Sequence, residues 1–184
     1  MDHLIRSLES APVVERGEYE YFVHPITDGI PLVEPKLMDE IAREITERAD
    51  LNRIDKILTA EAMGIHIATA LSLESGLPFV IARKRSYKFD EEVAVHQETG
   101  YGENELYING LSDGDRLLIV DDVISTGNTL AALSQAAEAC GAEIEQIIVV
   151  IRRTGDNDIP NLPVPVDHLV EVDVVDGRVE ILDS

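Results

Sequence analysis

From Ile54 onward, the apolar positions alternate between short continuous runs and helical stripes. Ile54–Ala60 reads as a strand over Ile54, Ile57 and Leu58. Residues 62–75 place Met63, Ile67, Ala70 and Leu71 on one side of a helix, with Gly76 as its stop. Pro78–Arg83 is a strand through Phe79–Val80–Ile81. Arg116–Asp121 is another, with the run Leu117–Leu118–Ile119–Val120. Asn128–Cys140 predicts a helix carrying Leu130, Leu133, Ala137 and Cys140 on one face, ended by Gly141. Gln146–Ile151 is the next strand. Continuous apolar strands that alternate with helices predict an α/β fold: a central, mostly parallel sheet covered by helices on both faces. Such a sheet carries its binding site at the carboxyl ends of its strands.

The flanks read differently. Pro35–Asp50 has Leu37, Ile41 and Ile45 at i, i+4 and i+8, one helical stripe with proline in its first turn. Residues 1–34 read as a short strand, Tyr19–Val23, followed by turns at His24–Pro25 and Asp28–Pro31. Residues 84–110 form a long polar excursion, a pattern typical of a lid. After Pro160, Pro163 and Pro165, Leu169–Val175 and Arg178–Leu182 predict a hairpin closed by Asp176–Gly177. A segment of about 25 residues holds no core alone. The hairpin is therefore expected to complete one domain spanning 1–184.

Composition narrows the function. The single cysteine, Cys140, excludes an internal disulfide and a Cys-based zinc site. His24, His66, His96 and His168 lack metal-ligand spacing. No apolar run reaches the roughly 18 residues of a membrane span. The opening Met1–Ser10 carries Asp2, Arg6 and Glu9, so no secretory signal is expected. Thirty-six acids against fifteen bases give a net charge of −21, and the only lysines are Lys36, Lys56, Lys84 and Lys88. Such a surface repels phosphate backbones, so neither nucleic acid nor an anionic membrane is expected as a partner. Concentrated salt screens this self-repulsion. A salt-rich cytoplasm, as in halophilic archaea, is the expected setting.

One segment concentrates the chemistry. The strand Leu117–Val120 delivers two adjacent acids, Asp121 and Asp122. Ser125-Thr126-Gly127-Asn128-Thr129 then opens a helix. Small hydroxyl residues and a glycine at a helix start make an anion cradle of backbone N–H groups at a positive dipole end. Acceptors for sugar hydroxyls thus stand beside donors for a phosphate, and a ribose 5-phosphate satisfies both. Neither a Walker loop nor a Gly-x-Gly-x-x-Gly turn is present. Arg83-Lys84-Arg85 is the other unusual feature: three consecutive bases at a strand end in an acidic chain. It reads as an anion clamp.

Leu117–Thr129 resembles the phosphoribosyl-pyrophosphate (PRPP) motif of the type I phosphoribosyltransferases. The resemblance places Asp121 and Asp122 on the ribose hydroxyls. It places Ser125, Thr126, Gly127, Asn128 and Thr129 around the 5-phosphate. Glu61-Ala62-Met63-Gly64 resembles the pyrophosphate loop of the adenine branch. Phe79–Ser86 resembles the strand that follows, whose basic end, Arg83, Lys84 and Arg85, meets the pyrophosphate. The stretch Gly100–Leu106 resembles the flexible catalytic loop, which adds Tyr101 to the catalytic set. Tyr21–Gly29 sits where that branch has a hood over the base, implicating Tyr21, Phe22 and Ile26 in base binding. Overall, residues 10–152 resemble the archaeal hypoxanthine/guanine phosphoribosyltransferase group, built on the adenine-branch plan.

The resemblance implies transfer of 5-phosphoribose from PRPP to a purine, with Mg²⁺ carried by the substrate and no dedicated metal cage. It implies a cytoplasmic homodimer with the pyrophosphate loop near its interface. Three positions depart from the pattern. Met63 stands where the adenine branch commonly has arginine, and is expected to pack at the dimer contact. Gly100 replaces the glutamate before Tyr-Gly, with Glu98 and Glu103 as nearby acids. Ser125 replaces the aspartate of the classical 6-oxopurine enzymes. Hypoxanthine or guanine is favoured over adenine. A catalytically weak PRPP- or purine-sensing regulator and a pyrimidine transferase are the other readings.

Overall fold

The computed structural model describes residues 1–17, 19–99, 102–154 and 160–184, with the backbone only at 16, 19, 97–99 and 102–104. In chain order, α1 (Asp2–Glu9) is followed by a hairpin of β1 (Val13–Arg16) and β2 (Tyr19–Phe22). The one-turn α2 (Pro25–Asp28) leads to α3 (Pro35–Arg48). Then come β3 (Lys56–Ala60), α4 (Gly64–Ser75) and β4 (Phe79–Ala82). A second hairpin pairs β5 (Val93–Thr99) with β6 (Gly102–Ile108). The chain continues through β7 (Arg116–Ile124), α5 (Asn128–Ala139) and β8 (Glu143–Arg153), and ends in β9 (Val166–Val175) and β10 (Arg178–Asp183).

Six strands form the central sheet in the order β10-β9-β8-β7-β3-β4. All neighbours are parallel except β10, which returns antiparallel on β9. The pleat explains why β7 is a continuous apolar run. Leu118 and Val120 enter the core beneath α1, α3 and α4, while Leu117 and Ile119 enter the core beneath α5. β8 divides the same way, with Ile148 and Val150 on one side and Ile147 and Val149 on the other. Both faces of the sheet are therefore buried, as expected of a parallel sheet.

Several segments differ from the sequence expectation, α4 among them, where Ala68 and not Ala70 joins Ile67 and Leu71 in the core. Residues 1–34 hold more than one strand with turns, because Leu4 and Leu8 form a fully buried i, i+4 pair on α1 and β2 gains β1 as a partner. β7 continues through the acid pair to Ile124, held by β8 as far as the Ile124–Arg152 pair. The polar excursion contributes Leu106 and Ile108 to the α5-side core, so the base of its hairpin is anchored. The C-terminal hairpin forms as expected. Its Asp176–Gly177 turn has φ of 50° and 71°, the positive pair a tight hairpin turn requires. β9 extends the main sheet beside β8.

Candidate functional site

The carboxyl ends of β3, β4, β7 and β8 meet at one edge. β3 ends at Ala60, in register with Ala82 of β4. Thr59, fully buried, donates its Oγ1 hydrogen bond to Val120 O at 2.8 Å, tying the end of β3 to β7 just before the acid pair. Gly64, the first residue of α4, packs into this junction. A β-carbon there would stand 1.9 Å from Thr59 Oγ1 and 3.0 Å from Asp121 Oδ1.

Asp121 is 6% exposed, and its Oδ1 accepts the Asp122 backbone N–H at 3.0 Å. Asp122 is half-buried and lines a cavity of about 230 Å³. Burial pushes the Asp121 carboxyl up to about 6. Burial, with the Asp121 charge beside it, pushes Asp122 well above the usual carboxylate range.

The strand then turns into α5. Ser125 and Thr126 are exposed at the edge. Gly127 takes the left-handed conformation, φ 73°, and occupies the N-cap position, so no capping side chain covers the first turn. Asn128 and Thr129 open the helix. This is a helix N-terminus beside two carboxylates, as the sequence predicts.

The basic cluster is not gathered on one point. Arg83 is 39% exposed and its Nε lies 3.1 Å from Glu61 Oε2, without hydrogen-bond alignment. Glu61 Oε1 also accepts the Lys84 backbone N–H. Glu61, expected on the pyrophosphate, thus clasps the end of β4 with its side chain. Its carboxylate is acceptor-only, so an anion there is left to the backbone and Arg83. Lys84 and Arg85 are exposed, and Arg85 Cζ lies 5.9 Å from the centre of the Tyr87 ring. Arg83 and Tyr107 of β6 exchange backbone hydrogen bonds at 2.9 and 2.7 Å, joining the cluster to the β5–β6 hairpin. Ala62 is exposed. Met63 is half-buried, and a β-carbon on Gly29 would stand 3.7 Å from its Cε, so Met63 reaches the end of α2 in its own chain.

The cavity beside Asp122 lies against the β1–β2 hairpin and α2. Tyr21, Phe22 and Val123 line it, with Thr27, Asp28, Ser125 and Arg153 as polar groups. Ile26 corrects the expectation: it is fully buried in the core and lines no part of the cavity, and its N–H donates to His24 Nδ1 at 3.2 Å. Proline at the first position of α2 and His24 as its cap turn Ile26 inward and bring Thr27 and Asp28 to the cavity. Tyr101 lies outside the described residues, and the side chains of Glu98 and Glu103 are likewise undescribed.

Sequence reading passed over Thr59, Asp28 and Arg153. Arg153 had a signal: it follows the apolar run of β8, at the carboxyl end where binding residues collect. Thr59 and Asp28 had none, because a strand threonine and a turn aspartate are common in any fold.

Comparison with known proteins places this arrangement. Residues 33–175 match the phosphoribosyl transferase domain family. The chain is 52% identical over 185 residues to HGPRTase-like protein 2 of Halalkalicoccus jeotgali, across 100% of this chain and 98% of that one. It is 53% identical over 180 residues to a hypoxanthine/guanine phosphoribosyltransferase of Methanocaldococcus infernus, across 97% and 98% of the two chains. Its fold is similar to that of an adenine phosphoribosyltransferase of Rhodothermus marinus, with a TM-score of 0.75 at 24% identity over 93% of this chain and 99% of that chain.

Proposed function

The chain belongs to the phosphoribosyl transferase family, and we propose that it transfers 5-phosphoribose from PRPP to hypoxanthine or guanine in the cytoplasm of a salt-rich cell. The observation that supports this most is the junction of three features at one edge. Asp121 closes the continuous buried run of β7 with Asp122 beside it, Gly127 opens α5 without a cap, and a cavity sized for a small planar ligand adjoins Asp122.

In this reading the bond from N9 of the purine to C1 of the ribose forms as the bond from C1 to the pyrophosphate oxygen breaks. The N9 proton leaves with the departing pyrophosphate or to water. The α5 amides and the hydroxyls of Ser125, Thr126 and Thr129 hold the 5-phosphate. Asp121 and Asp122 accept from the ribose hydroxyls and stabilise positive charge at C1. Arg83, released from Glu61, joins Lys84 and Arg85 and the backbone of residues 61–64 around the leaving pyrophosphate. The lid, residues 84–110 with Tyr101, excludes water.

The described residues contain no cluster of three or more metal-ligating side chains. The two acids fit a Mg²⁺ ion brought by PRPP, which takes few protein carboxylates. When bound, Mg²⁺ supplies charge neutralisation of the pyrophosphate.

We place a homodimer contact on the outer face of α4. Ile65, Thr69, Ala70 and Leu73 line it, and Leu73 is 84% exposed. The deciding experiment is PRPP-dependent nucleotide formation in molar KCl with hypoxanthine, guanine, adenine, xanthine and uracil in turn. Turnover with hypoxanthine or guanine is expected. Measurable PRPP binding without turnover of any base sinks the transferase reading and leaves a sensor.

A further inference from the structure

Besides Asp122, the cavity is lined by a second carboxylate, Asp28, and one guanidinium, Arg153, each fixed by its own protein contacts. Asp28 ends α2, and its Oδ2 accepts from His24 N at 3.1 Å and from Thr27 Oγ1 at 2.6 Å. His24 is itself fully buried: Nδ1 accepts from Ile26 N, so Nε2 bears the proton and donates to Ser7 Oγ at 2.9 Å. That network ties the α2 turn to α1, so Asp28 stands on a braced loop. Arg153 ends β8. One Nη2 proton goes to Glu20 O at 2.6 Å, and the guanidinium carbon lies 5.6 Å from the centre of the Tyr21 ring. A guanidinium has five N–H donors in a planar fork. This one is aimed by one backbone bond and one aromatic face, and among the described residues its other donors are left for a ligand.

The edge of a purine remote from N9 decides what such a pair accepts. A 6-oxopurine presents an acceptor at O6 and a donor at N1–H, and guanine adds donors at its 2-amino group. Adenine presents the reverse, a donor at the 6-amino group and an acceptor at N1. Xanthine keeps O6 and N1–H but places a carbonyl at C2. A cation and a carboxylate in one small cavity match the first pattern. Against adenine, the fork meets an amino group and the carboxylate meets a lone pair, leaving both protein groups unpaired in a partly desolvated site. That is the mismatch that discriminates most strongly between ligands of equal shape.

We infer that Arg153 and Asp28 are the base-specifying pair: Arg153 donates to O6, and Asp28 Oδ1 accepts from N1–H and from the 2-amino group of guanine. The inference rests on the transferase reading above and names the substrate order within it: guanine, then hypoxanthine, with xanthine and adenine poor. It also accounts for an oxopurine preference in a chain whose Ser125 and Gly100 supply no acid near N7. Selection falls on the opposite edge of the ring.

The test is kcat/KM for the four bases at saturating PRPP and Mg²⁺, in the unaltered chain and in Arg153→Met, Arg153→Lys and Asp28→Asn. PRPP affinity and melting temperature are measured alongside. In Arg153→Met the guanine-to-adenine ratio is expected to fall about tenfold or more, mainly through KM for the base, with partial recovery in Arg153→Lys. Asp28→Asn is expected to lower the same ratio, because its amide can donate to adenine N1. Were Arg153 only a brace for the hood through Glu20 and Tyr21, all bases would suffer equally. An unchanged ratio therefore overturns the inference, as does an unaltered chain that prefers adenine while still using PRPP. Failure of the unaltered chain to bind PRPP would remove the transferase reading and the pair with it.

Discussion

Gly64 and Thr59 are packed so closely that a β-carbon on Gly64 would fall 1.9 Å from Thr59 Oγ1. Thr59 cannot simply rotate away, because that hydroxyl is buried and donates to Val120 O. The first turn of α4 is thereby seated directly on the end of β7. Gly64→Ala is expected to destabilise the chain by about 1–3 kcal/mol, the usual cost of overpacking a tight site. Thr59→Ala removes the colliding oxygen, so the double variant should be more stable than the two single losses predict. Chemical denaturation of all four forms checks this. Strict additivity would mean the two residues do not meet as described.

The acid pair sets a pH dependence that runs opposite to that of most carboxylates. Asp121 has a folded-state pKa near 6, above its unfolded value, because it is buried. The folded protein therefore holds this proton more tightly than the unfolded chain does. Its contribution favours folding at about pH 4 and is lost as pH rises through 6. Asp121→Asn, which keeps the acceptor for the Asp122 amide, should stabilise the ligand-free protein at pH 8 by about 1–3 kcal/mol. The gain should vanish near pH 4. The same variant is expected to lose about a hundredfold or more in turnover with PRPP. Melting curves at both pH values and a single activity assay decide the matter. Equal melting temperatures at pH 8 would show that the carboxyl is not desolvated.

Much of this was legible in the sequence because the sheet is parallel and doubly covered. β3, β4, β7 and β8 announce themselves as apolar runs, and the PRPP-like segment lies at the end of one of them. Gly127 was readable too, since the turn into α5 needs its positive φ. The hood was less so. Ile26 looked like a base contact from its place between Tyr21 and Gly29, yet a proline-started turn capped by His24 sends it into the core. Periodicity has no purchase on a four-residue helix. Glu61 looked like part of an anion loop, and only the fold shows its side chain turned to Arg83 and the Lys84 amide. Pairings across β-strands at such sequence distances leave no local pattern to read. α1 was missed for a simpler reason: two buried leucines in a short, charged segment are a weak stripe.

The outer face of α4 is apolar where most exposed helices are charged. Leu73 is 84% exposed, and His66 Nε2 is buried without a hydrogen-bond partner. A contiguous patch of this kind marks an association surface. Leu73→Glu is expected to convert the proposed dimer to a monomer at micromolar concentration, because two carboxylates would be brought to one two-fold contact. Light scattering after gel filtration measures it. An unaltered chain that is already monomeric in molar KCl removes the dimer, and with it any packing role for Met63 across that contact.

The net charge of −21 carries its own consequence. Charges of one sign on a small surface repel, and the repulsion is relieved on unfolding as they move apart. Salt shortens the screening length from about 10 Å at 0.1 M to about 3 Å at 1 M. Ion pairs such as Arg53–Glu145, at 2.7 Å, weaken under the same screening. Several, Arg6–Asp2 and Arg43–Asp39 among them, are exposed on both sides, and exposed pairs contribute about 0–1 kcal/mol each. Repulsion therefore dominates, and the melting temperature is expected to climb as KCl is raised from 0.1 M to 2 M. Salt also strengthens apolar burial, so the slope alone does not isolate charge. Neutralising three exposed acids, Glu91→Gln, Glu138→Gln and Glu180→Gln, separates the two effects. The triple variant should gain stability at 0.1 M KCl and show a shallower rise with salt, while apolar burial is unchanged. Parallel salt curves for the two chains would assign the effect to burial and refute the charge argument.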